Sequence, residues 1–370
     1  MPNVASSLFA AARLRTWIFT PLFVGVAVGV GTGLLALARA VTEPAFPTDF
    51  DQLWFAARAL ASGRNPYLVI GPGREFAWEW PLYYPLPAVI AVLPLAPLPV
   101  AAARVVFAAI SGGVLAYALA RTGFARFPLF LSAAFLIATW RTQWSPLLTA
   151  AIFIPAVGAF LVAKPNLGLG VLAAVDGRRA LFTALAGMAA LALISFVWFP
   201  TWPTHWRLAI EQSPHIRAPV TQMGGPLLLL AGLRWRRRDA RLLAVLSCVP
   251  HTPSLYDLLP LFVIARTRRE SLLLALLSHA LFAAVVTLGP FAKFDLYAAA
   301  LGRLAIPLMY IPALILVLRR PNVTDDSDVS STVRHADGSQ RFSPLDTGLL
   351  AALVACATLL TWVTVTTPRV

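Results

Sequence analysis

Apolar residues occur along this chain in long, nearly uninterrupted blocks. The first block, residues 17–38, has no charged side chain and is long enough to cross a bilayer as a helix. Their number and length predict an all-α integral membrane protein with about 11–13 membrane helices. The later blocks fall near residues 83–98, 100–120, 127–140, 146–163, 166–176, 180–199, 220–233, 241–265, 271–290, 299–318 and 345–366.

Several of these blocks are too short for a full crossing, notably 127–140, 166–176 and 241–265. A broken helix is tolerated at membrane depth only where protein or a polar cavity satisfies its backbone groups. The short blocks therefore predict a cavity inside the bundle. The alternation of crossings is consistent only if 241–265 forms a hairpin or a re-entrant pair that turns near His251.

The composition excludes a soluble enzyme. Of 370 residues, 59% are hydrophobic and 12% are charged, with a mean hydropathy of +0.75, whereas soluble domains carry about 25% charged residues. Cys248 and Cys356, the two cysteines, both lie in apolar blocks, so no disulfide framework or CxxC metal site is expected. The five histidines lack metal-binding spacing. We expect neither a metal nor a cofactor.

The charge is strongly basic, with 30 Lys and Arg against 16 Asp and Glu. The arginines gather at the ends of apolar blocks, which is typical of cytoplasmic loops and not of a nucleic-acid surface. Arg13 and Arg15 predict a cytoplasmic N-terminus in a multi-pass plasma-membrane protein. Cleavage as a signal peptide after 36–38 is the alternative, but the apolar block is too long for one. Four cytoplasmic turns are predicted at 178–179, 234–241, 266–269 and 319–320.

Residues 39–84 differ in kind from the rest and are predicted to form an external loop. They hold five of the sixteen acids, together with aromatic and turn residues. Residues 51–62 have apolar positions at helical spacing, so we expect a short amphipathic helix lying along the membrane surface. The predicted organisation is a membrane domain over 1–318, a polar cytoplasmic linker over 319–343, and a C-terminal membrane helix over 344–370.

Four clusters of polar residues are candidates for chemistry, because ionisable groups near a membrane are costly to bury. Asp49 and Asp51 suit a general base or a metal site, or the N-cap of the helix that follows. Lys164 suits a phosphate or a snorkelling position at a helix end. The remaining two clusters are equally consistent with turns, with an aromatic belt at the membrane interface and with prolines that interrupt helices. They contain Asn65, Tyr67, Tyr84, His251, Tyr256 and Asp257.

These motifs, in this order, resemble the membrane glycosyltransferases of the GT-C superfamily, specifically glycosyltransferase family 87. That family includes polyprenyl-phosphomannose-dependent mannosyltransferases of actinobacterial lipoglycan synthesis. Three departures stand out: Thr142 where the family usually has Gly, a short segment before Lys164, and Tyr256-Asp257 near the place of a family His. The matching motifs are Asp49-Phe50, Ala56-Ala57-Arg58, Gly63-Arg64-Asn65-Pro66-Tyr67, Tyr84-Pro85-Leu86-Pro87, Gln143 and Lys164-Pro165-Asn166.

The resemblance implies an enzyme that transfers a sugar, by analogy mannose, from a polyprenyl-phosphate donor to a lipid-linked or cell-envelope glycan at the outer face. Asp49 matches the catalytic base of this inverting reaction, and Asp51 would orient it or contact the acceptor. Lys164, Arg58 and His251 would hold the phosphate. The remaining substrate-binding candidates are Asn65, Tyr67, Trp78, Trp80, Tyr84, Gln143, Asn166, Tyr256 and Asp257.

Two functions of other classes fit the hydropathy as well. A secondary transporter or flippase of a lipid-linked envelope precursor also uses broken helices and a central lysine. A non-catalytic subunit of a membrane assembly is the third possibility. The acids gather in one loop at the water interface and not at mid-membrane, which favours the enzyme. Expected partners are membrane lipids, the donor and the glycan acceptor, with no nucleic acid.

Overall fold

A computed structural model describes residues 20–212, 217–250 and 254–322 of the chain. It is mostly helical, with one pair of very short strands among these residues, β1 (Ile70–Gly71) and β2 (Phe76–Ala77), which run parallel. The α-helices are α1 (Pro21–Thr42), α2 (Asp49–Ala61), α3 (Pro66–Val69), α4 (Leu86–Val92), α5 (Val100–Ala120), α6 (Ala133–Trp140), α7 (Ser145–Ala150), α8 (Pro165–Ala173), α9 (Arg178–Trp198), α10 (Trp202–Glu211), α11 (Arg238–Cys248), α12 (Arg268–Leu288), α13 (Phe294–Ala305) and α14 (Ile311–Leu318).

Within the described ranges, five helices are long and apolar enough to cross a membrane. This confirms the prediction of an all-α protein with membrane-type helices. They correspond to the longer apolar blocks of the sequence, and their bounds are Pro21–Thr42, Val100–Ala120, Arg178–Trp198, Arg268–Leu288 and Phe294–Leu318. The last of these joins α13 to α14 through a π-helical turn at Ile306–Tyr310.

The short apolar blocks form short helices instead of full crossings, as their length predicts. The block at 166–176 is α-helical, as α8. The blocks at 127–140 and 241–265 each combine a short α-helix with tighter 3-10 geometry, which is normally used in brief stretches. The predicted hairpin at 241–265 consists of α11 and a 3-10 helix at Leu255–Ile264, and the tip around His251 falls outside the described residues. The other 3-10 segments are Leu93–Leu95, Phe124–Leu131, Pro155–Ala163, Pro219–Thr221 and Gly225–Arg234.

The fold divides into two compact units. Unit 1 contains the described residues up to Thr122, with Thr139–Lys164 and those of Gly177–Ser213. Unit 2 contains Gly123–Ala138, Pro165–Asp176 and the described residues beyond Pro214. The predicted linker from residue 323 onward and the predicted C-terminal helix lie outside the described residues.

Glycines bring α1 and α5 of unit 1 into close contact. A Cβ placed on Gly29 would lie 2.9 Å from the carbonyl oxygen of Ala109, and one on Gly113 would lie 2.9 Å from that of Gly25. Small residues allow helix backbones to approach closely where the solvent gives no hydrophobic drive for association. The hydroxyl of Thr32 then reaches across to the Ala108 carbonyl at 3.0 Å.

The opposite face of α1 is an exposed apolar stripe. Leu22, Val26, Val30 and Leu34 recur every four residues and keep 56–68% of their surface exposed. A continuous apolar surface of this kind needs a partner other than water. Together with the length of the helix, the stripe indicates that lipid is the solvent of this face.

Arginines from three separate turns of unit 2 converge on one buried carboxylate, Asp239. Arg237 binds both its oxygens, at 3.0 and 2.9 Å, and Arg320 approaches it at 3.0 Å. Arg320 also binds Glu270 at 2.7 Å. Burial opposes ionisation of Asp239, but the hydrogen bonds and charge of Arg237, with Arg266 and Arg320, hold its pKa below the ordinary value. Three of the four predicted arginine-rich turns therefore meet at one end of unit 2.

Candidate active site

The first turn of α2 is organised around Thr48, which is the N-cap of the helix. The backbone N–H of Thr48 donates to Asp51 at 2.7 Å, and its hydroxyl donates to the same carboxylate at 3.0 Å. Asp51 therefore acts as the third-position partner of a capping box. The alternative that Asp49 or Asp51 is itself the N-cap is wrong by one and three residues, because Thr48 is the last residue with extended geometry.

Asp51 is held in a buried ion pair with Arg104 of α5. The Nε of Arg104 donates to Oδ1 of Asp51 at 2.7 Å, and Nη2 donates to Oδ2. The two residues are only 2% and 5% exposed. A bidentate pair at this depth, with two further hydrogen bonds from Thr48, engages both oxygens of the carboxylate. Asp51 thus fixes the position of the α2 N-terminus.

Asp49, two residues earlier, has a different environment. It is half-buried, and its Oδ2 accepts a short hydrogen bond from Nε2 of Gln143. Gln143 is buried, and this contact fixes the orientation of its amide. Its Oε1 has no hydrogen-bond partner among the described residues. The two residues that the sequence motifs place 94 positions apart are therefore in direct contact.

The residue before Gln143 has an unusual backbone conformation. Thr142 has a φ of +54°, in the left-handed region that glycine adopts freely and that a β-branched residue rarely adopts. Such conformations persist where the surrounding structure imposes them, and they cluster at functional sites. Thr142 therefore carries backbone strain in the turn that presents Gln143 to Asp49.

The helix predicted at 51–62 is present as α2 and is enclosed by protein. Most of its residues are buried, and it packs on α3, α4 and α5 within unit 1. Trp54 donates its indole N–H to the carbonyl of Leu98 at 3.1 Å. Arg58 is exposed and lies over the ring of Trp54, 4.9 Å from its centroid.

Asn65, Tyr67 and Tyr84, which the motifs singled out, are joined by direct contacts. Asn65 accepts from the backbone N–H of Tyr67 at 2.9 Å, and the Tyr67 hydroxyl donates to the Tyr84 carbonyl at 3.1 Å. Since the Asn65 oxygen is occupied, its amide nitrogen faces Nε2 of His205 at 3.2 Å. His205, on α10, stacks between Tyr67 and Phe199, with centroids 6.1 and 5.6 Å away.

The carbonyl of Tyr83 accepts from the indole of Trp206 at 2.7 Å, so α10 is tied to the first loop at a second point. Burial raises the pKa of the Tyr83 hydroxyl, and the negative charges of Asp49 and Glu79 raise it further. The Tyr83 hydroxyl is therefore neutral and lies within the field of Asp49. Of the other aromatic candidates, Trp78 is half-buried and stacks on Phe76 at 5.8 Å, while Trp80 is half-buried.

The remaining sequence candidates are distributed over both units, except for His251. Lys164 is buried, 7% exposed, at the end of the 3-10 helix Pro155–Ala163 of unit 1. Asn166 caps the backbone N–H of Leu167 at 3.0 Å in unit 2. Tyr256 and Asp257 are buried in the 3-10 helix of unit 2 that begins at Leu255. His251 lies outside the described residues.

Sequence reasoning missed two residues of this site: Arg104 and His205. Arg104 was not singled out, although it lies inside the apolar block at 100–120. An ionisable residue within such a block needs a buried partner, and this signal pointed to Asp51. His205 carries no comparable signal, because only the fold brings it to Asn65.

Within the ranges that the structure describes, no group of three or more His, Cys, Asp or Glu is arranged to hold a metal ion. The site is instead an assembly of a half-buried carboxylate, a buried amide, a buried ion pair and an aromatic wall. Comparisons of the chain with protein-family models, with characterised proteins and with solved structures find no match.

Proposed function

We propose that this protein is a membrane glycosyltransferase and that Asp49 is its general base. The observation that carries the proposal is the contrast between two carboxylates on one helical turn. The carboxylate oxygens of Asp51 are bound by Arg104 and Thr48, whereas Asp49 is half-buried and oriented by the amide of Gln143. A base must be fixed in direction and reachable by substrate, and Asp49 has both properties.

In the proposed reaction the acceptor hydroxyl attacks the anomeric carbon of a polyprenyl-phosphate sugar. Asp49 takes the proton of that hydroxyl as the new glycosidic bond forms. The bond between the anomeric carbon and the phosphate oxygen breaks, and the phosphate leaves with the electron pair. One-step displacement inverts the anomeric configuration, and cations or hydrogen-bond donors near the phosphate stabilise its developing charge.

Asp51 is a positioning residue in this proposal. Its pair with Arg104 anchors α2 to α5, so the carboxylate of Asp49 keeps a fixed relation to the Gln143 turn. Reacting groups must be held to within a fraction of an ångström for efficient catalysis. The buried pair meets this requirement better than an exposed one, because its side chains have little freedom.

The resemblance to glycosyltransferase family 87 supplies the rest of the proposal. It assigns the donor phosphate to Lys164, Arg58 and His251. The wall formed by Tyr67, Tyr84 and His205 would contact the sugar or the acceptor, with mannose as the sugar. The architecture would be a GT-C bundle of about 11–13 membrane helices, with a cytoplasmic N-terminus and the site at the outer face of the plasma membrane.

The first experiment is Asp49→Asn, assayed in membranes with a labelled polyprenyl-phosphate sugar. Transfer should be lost while the protein accumulates normally, because the amide cannot accept the proton. Glu75→Gln is the matched control, since Glu75 is an exposed acid of the same loop that pairs with Arg64 at 2.6 Å. Full activity of Asp49→Asn would refute the assignment. Movement of the donor across proteoliposomes without any transfer would favour the transporter alternative.

Lys164→Ala tests the assignment of the phosphate to that residue. The Michaelis constant for the donor should rise, because a buried cation would be lost from the phosphate site. An unchanged donor constant would show that Lys164 serves packing at the end of its helix.

A further inference from the structure

A second cationic feature of unit 1 lies in the last turn of α1. Arg39 is 3% exposed, and its Nη1 contacts Glu43 at 3.1 Å. Its guanidinium lies over the ring of Trp140, 5.6 Å from the centroid. The Nε of Arg39 is buried and has no hydrogen-bond partner among the described residues. A buried donor without a partner is costly and calls for a ligand or a bound water.

Arg141 follows Trp140 directly and is exposed. Within the described part of the chain it forms no ion pair. The guanidinium of Arg39 lies over the ring of Trp140, so the two arginines are separated by one residue of contact. Two guanidinium groups that repel one another are stabilised by an anion held between them.

The acids near this pair do not neutralise it. Asp51 is bound through both oxygens to Arg104. Glu43 makes a single contact with Arg39 and is itself partly exposed. Arg141 therefore carries an uncompensated charge next to a buried, incompletely satisfied arginine.

We propose that Arg39 and Arg141 together bind a phosphate group beside Asp49. The guanidinium forks match the oxygens of a phosphate, which accept paired hydrogen bonds from arginine more readily than from lysine. This inference rests on the proposed function, because it identifies the phosphate as that of the lipid-linked donor and adds the two arginines to the residues that the resemblance assigns to that phosphate. The same chemistry also fits a phospholipid headgroup or free phosphate.

The turn between the two sites explains why they would work together. Arg141 and Gln143 flank Thr142, whose left-handed backbone is imposed by the fold. Gln143 is bound to Asp49, so the backbone that carries Arg141 is tied to the proposed base. A phosphate held by Arg141 and Arg39 would then lie close to the carboxylate that receives the acceptor proton.

The test is equilibrium binding of radiolabelled farnesyl phosphate to the full chain in phosphatidylcholine nanodiscs. We expect Arg141→Gln to weaken binding at least about tenfold, the effect of losing a charge-assisted contact. Arg39→Lys, which keeps the charge but loses the fork, should weaken it less. Arg121→Gln is the control, because Arg121 is an exposed arginine at the C-terminal end of α5 and lies over Tyr117.

Two competitors identify the source of the phosphate. Inorganic phosphate should displace the label if the two arginines recognise the phosphate alone, and phosphatidylglycerol in the nanodisc should displace it if they hold a headgroup. Farnesol should not displace it. Displacement by farnesol as strong as that by farnesyl phosphate would overturn the proposal, as would wild-type affinity in Arg141→Gln.

The binding assay separates this site from the proposed function. If farnesyl phosphate binds through the arginines but Asp49→Asn still transfers sugar, the phosphate site stands and the catalytic assignment fails. If Asp49→Asn abolishes transfer but Arg141→Gln binds farnesyl phosphate normally, the catalytic assignment stands and the phosphate site fails.

Discussion

Arg104 donates hydrogen bonds to both carboxylate oxygens of Asp51, while Asp49 on the same helical turn is half-buried and accepts a hydrogen bond from Gln143. The two acids would be equivalent by sequence, since they flank a single phenylalanine. Burial and partners separate them: Asp51 is buried in an ion pair, and Asp49 is half-buried and bound to an amide. The difference arises from an arginine on a helix about fifty residues away.

Asp51→Asn should destabilise the protein by about 3 kcal/mol, because it leaves the buried charge of Arg104 unpaired. Arg104→Gln should cost a similar amount. In the double variant the two losses should not add, since neither charge is then left alone. Reversible unfolding in mixed detergent micelles measures the cycle, and simple additivity would show that the pair contributes no coupling.

Thr142→Gly should stabilise the chain relative to Thr142→Ala by about 1 kcal/mol, because glycine adopts the left-handed conformation without strain. Alanine keeps the Cβ that causes the strain, so the comparison removes the effect of losing the buried side chain. The thermal unfolding midpoints of the two variants give the answer. Equal midpoints would mean that the turn relaxes at no cost.

Gly29→Ala should destabilise the contact between α1 and α5 by about 1–3 kcal/mol, since the new methyl group would press on the Ala109 carbonyl. Gly31→Ala on the same helix meets nothing within 4 Å. It should be neutral or stabilising by about 0.5–1 kcal/mol, because alanine is the better helix former. The same direction of change in both variants would contradict close packing at Gly29.

The carboxylate of Asp239 should make stability depend on pH. Its pKa in the folded protein lies below the ordinary value of 3.8. Its contribution is thus fully present above that value and is lost as the pH falls through the folded pKa. We expect Asp239→Asn to lower stability at pH 7 and to flatten the decline below pH about 4. Unfolding midpoints of both proteins from pH 3 to 7 measure this.

The helices were predictable because hydropathy and length determine them. The block at 17–38 became α1, shifted by four residues because Thr20 caps the helix and Pro21 begins it. The short blocks were recognised as incomplete crossings, but their 3-10 geometry was not, since it depends on how prolines and neighbours constrain each segment.

The site was only partly predictable. Asp49 and Gln143 were named from motif order, and the structure places them in contact. Arg104, the partner of Asp51, was missed because arginines near helix ends look alike in sequence, whether they mark a loop or pair with a buried acid. Its place inside the apolar block at 100–120 was the one signal that set it apart.

The arginine cluster around Asp239 constrains how often the chain crosses the membrane. Asp239, Glu270 and Arg320 lie in one hydrogen-bonded group, so in a bilayer they would lie at the same membrane surface. Between Glu270 and Arg320 the chain runs through two helices long and apolar enough to cross, and two crossings would return it to that surface. The number of crossings between Asp239 and Glu270 would then also be even. We therefore expect the segment from α11 to Leu255–Ile264 to turn back on itself, whichever side of the membrane the cluster occupies.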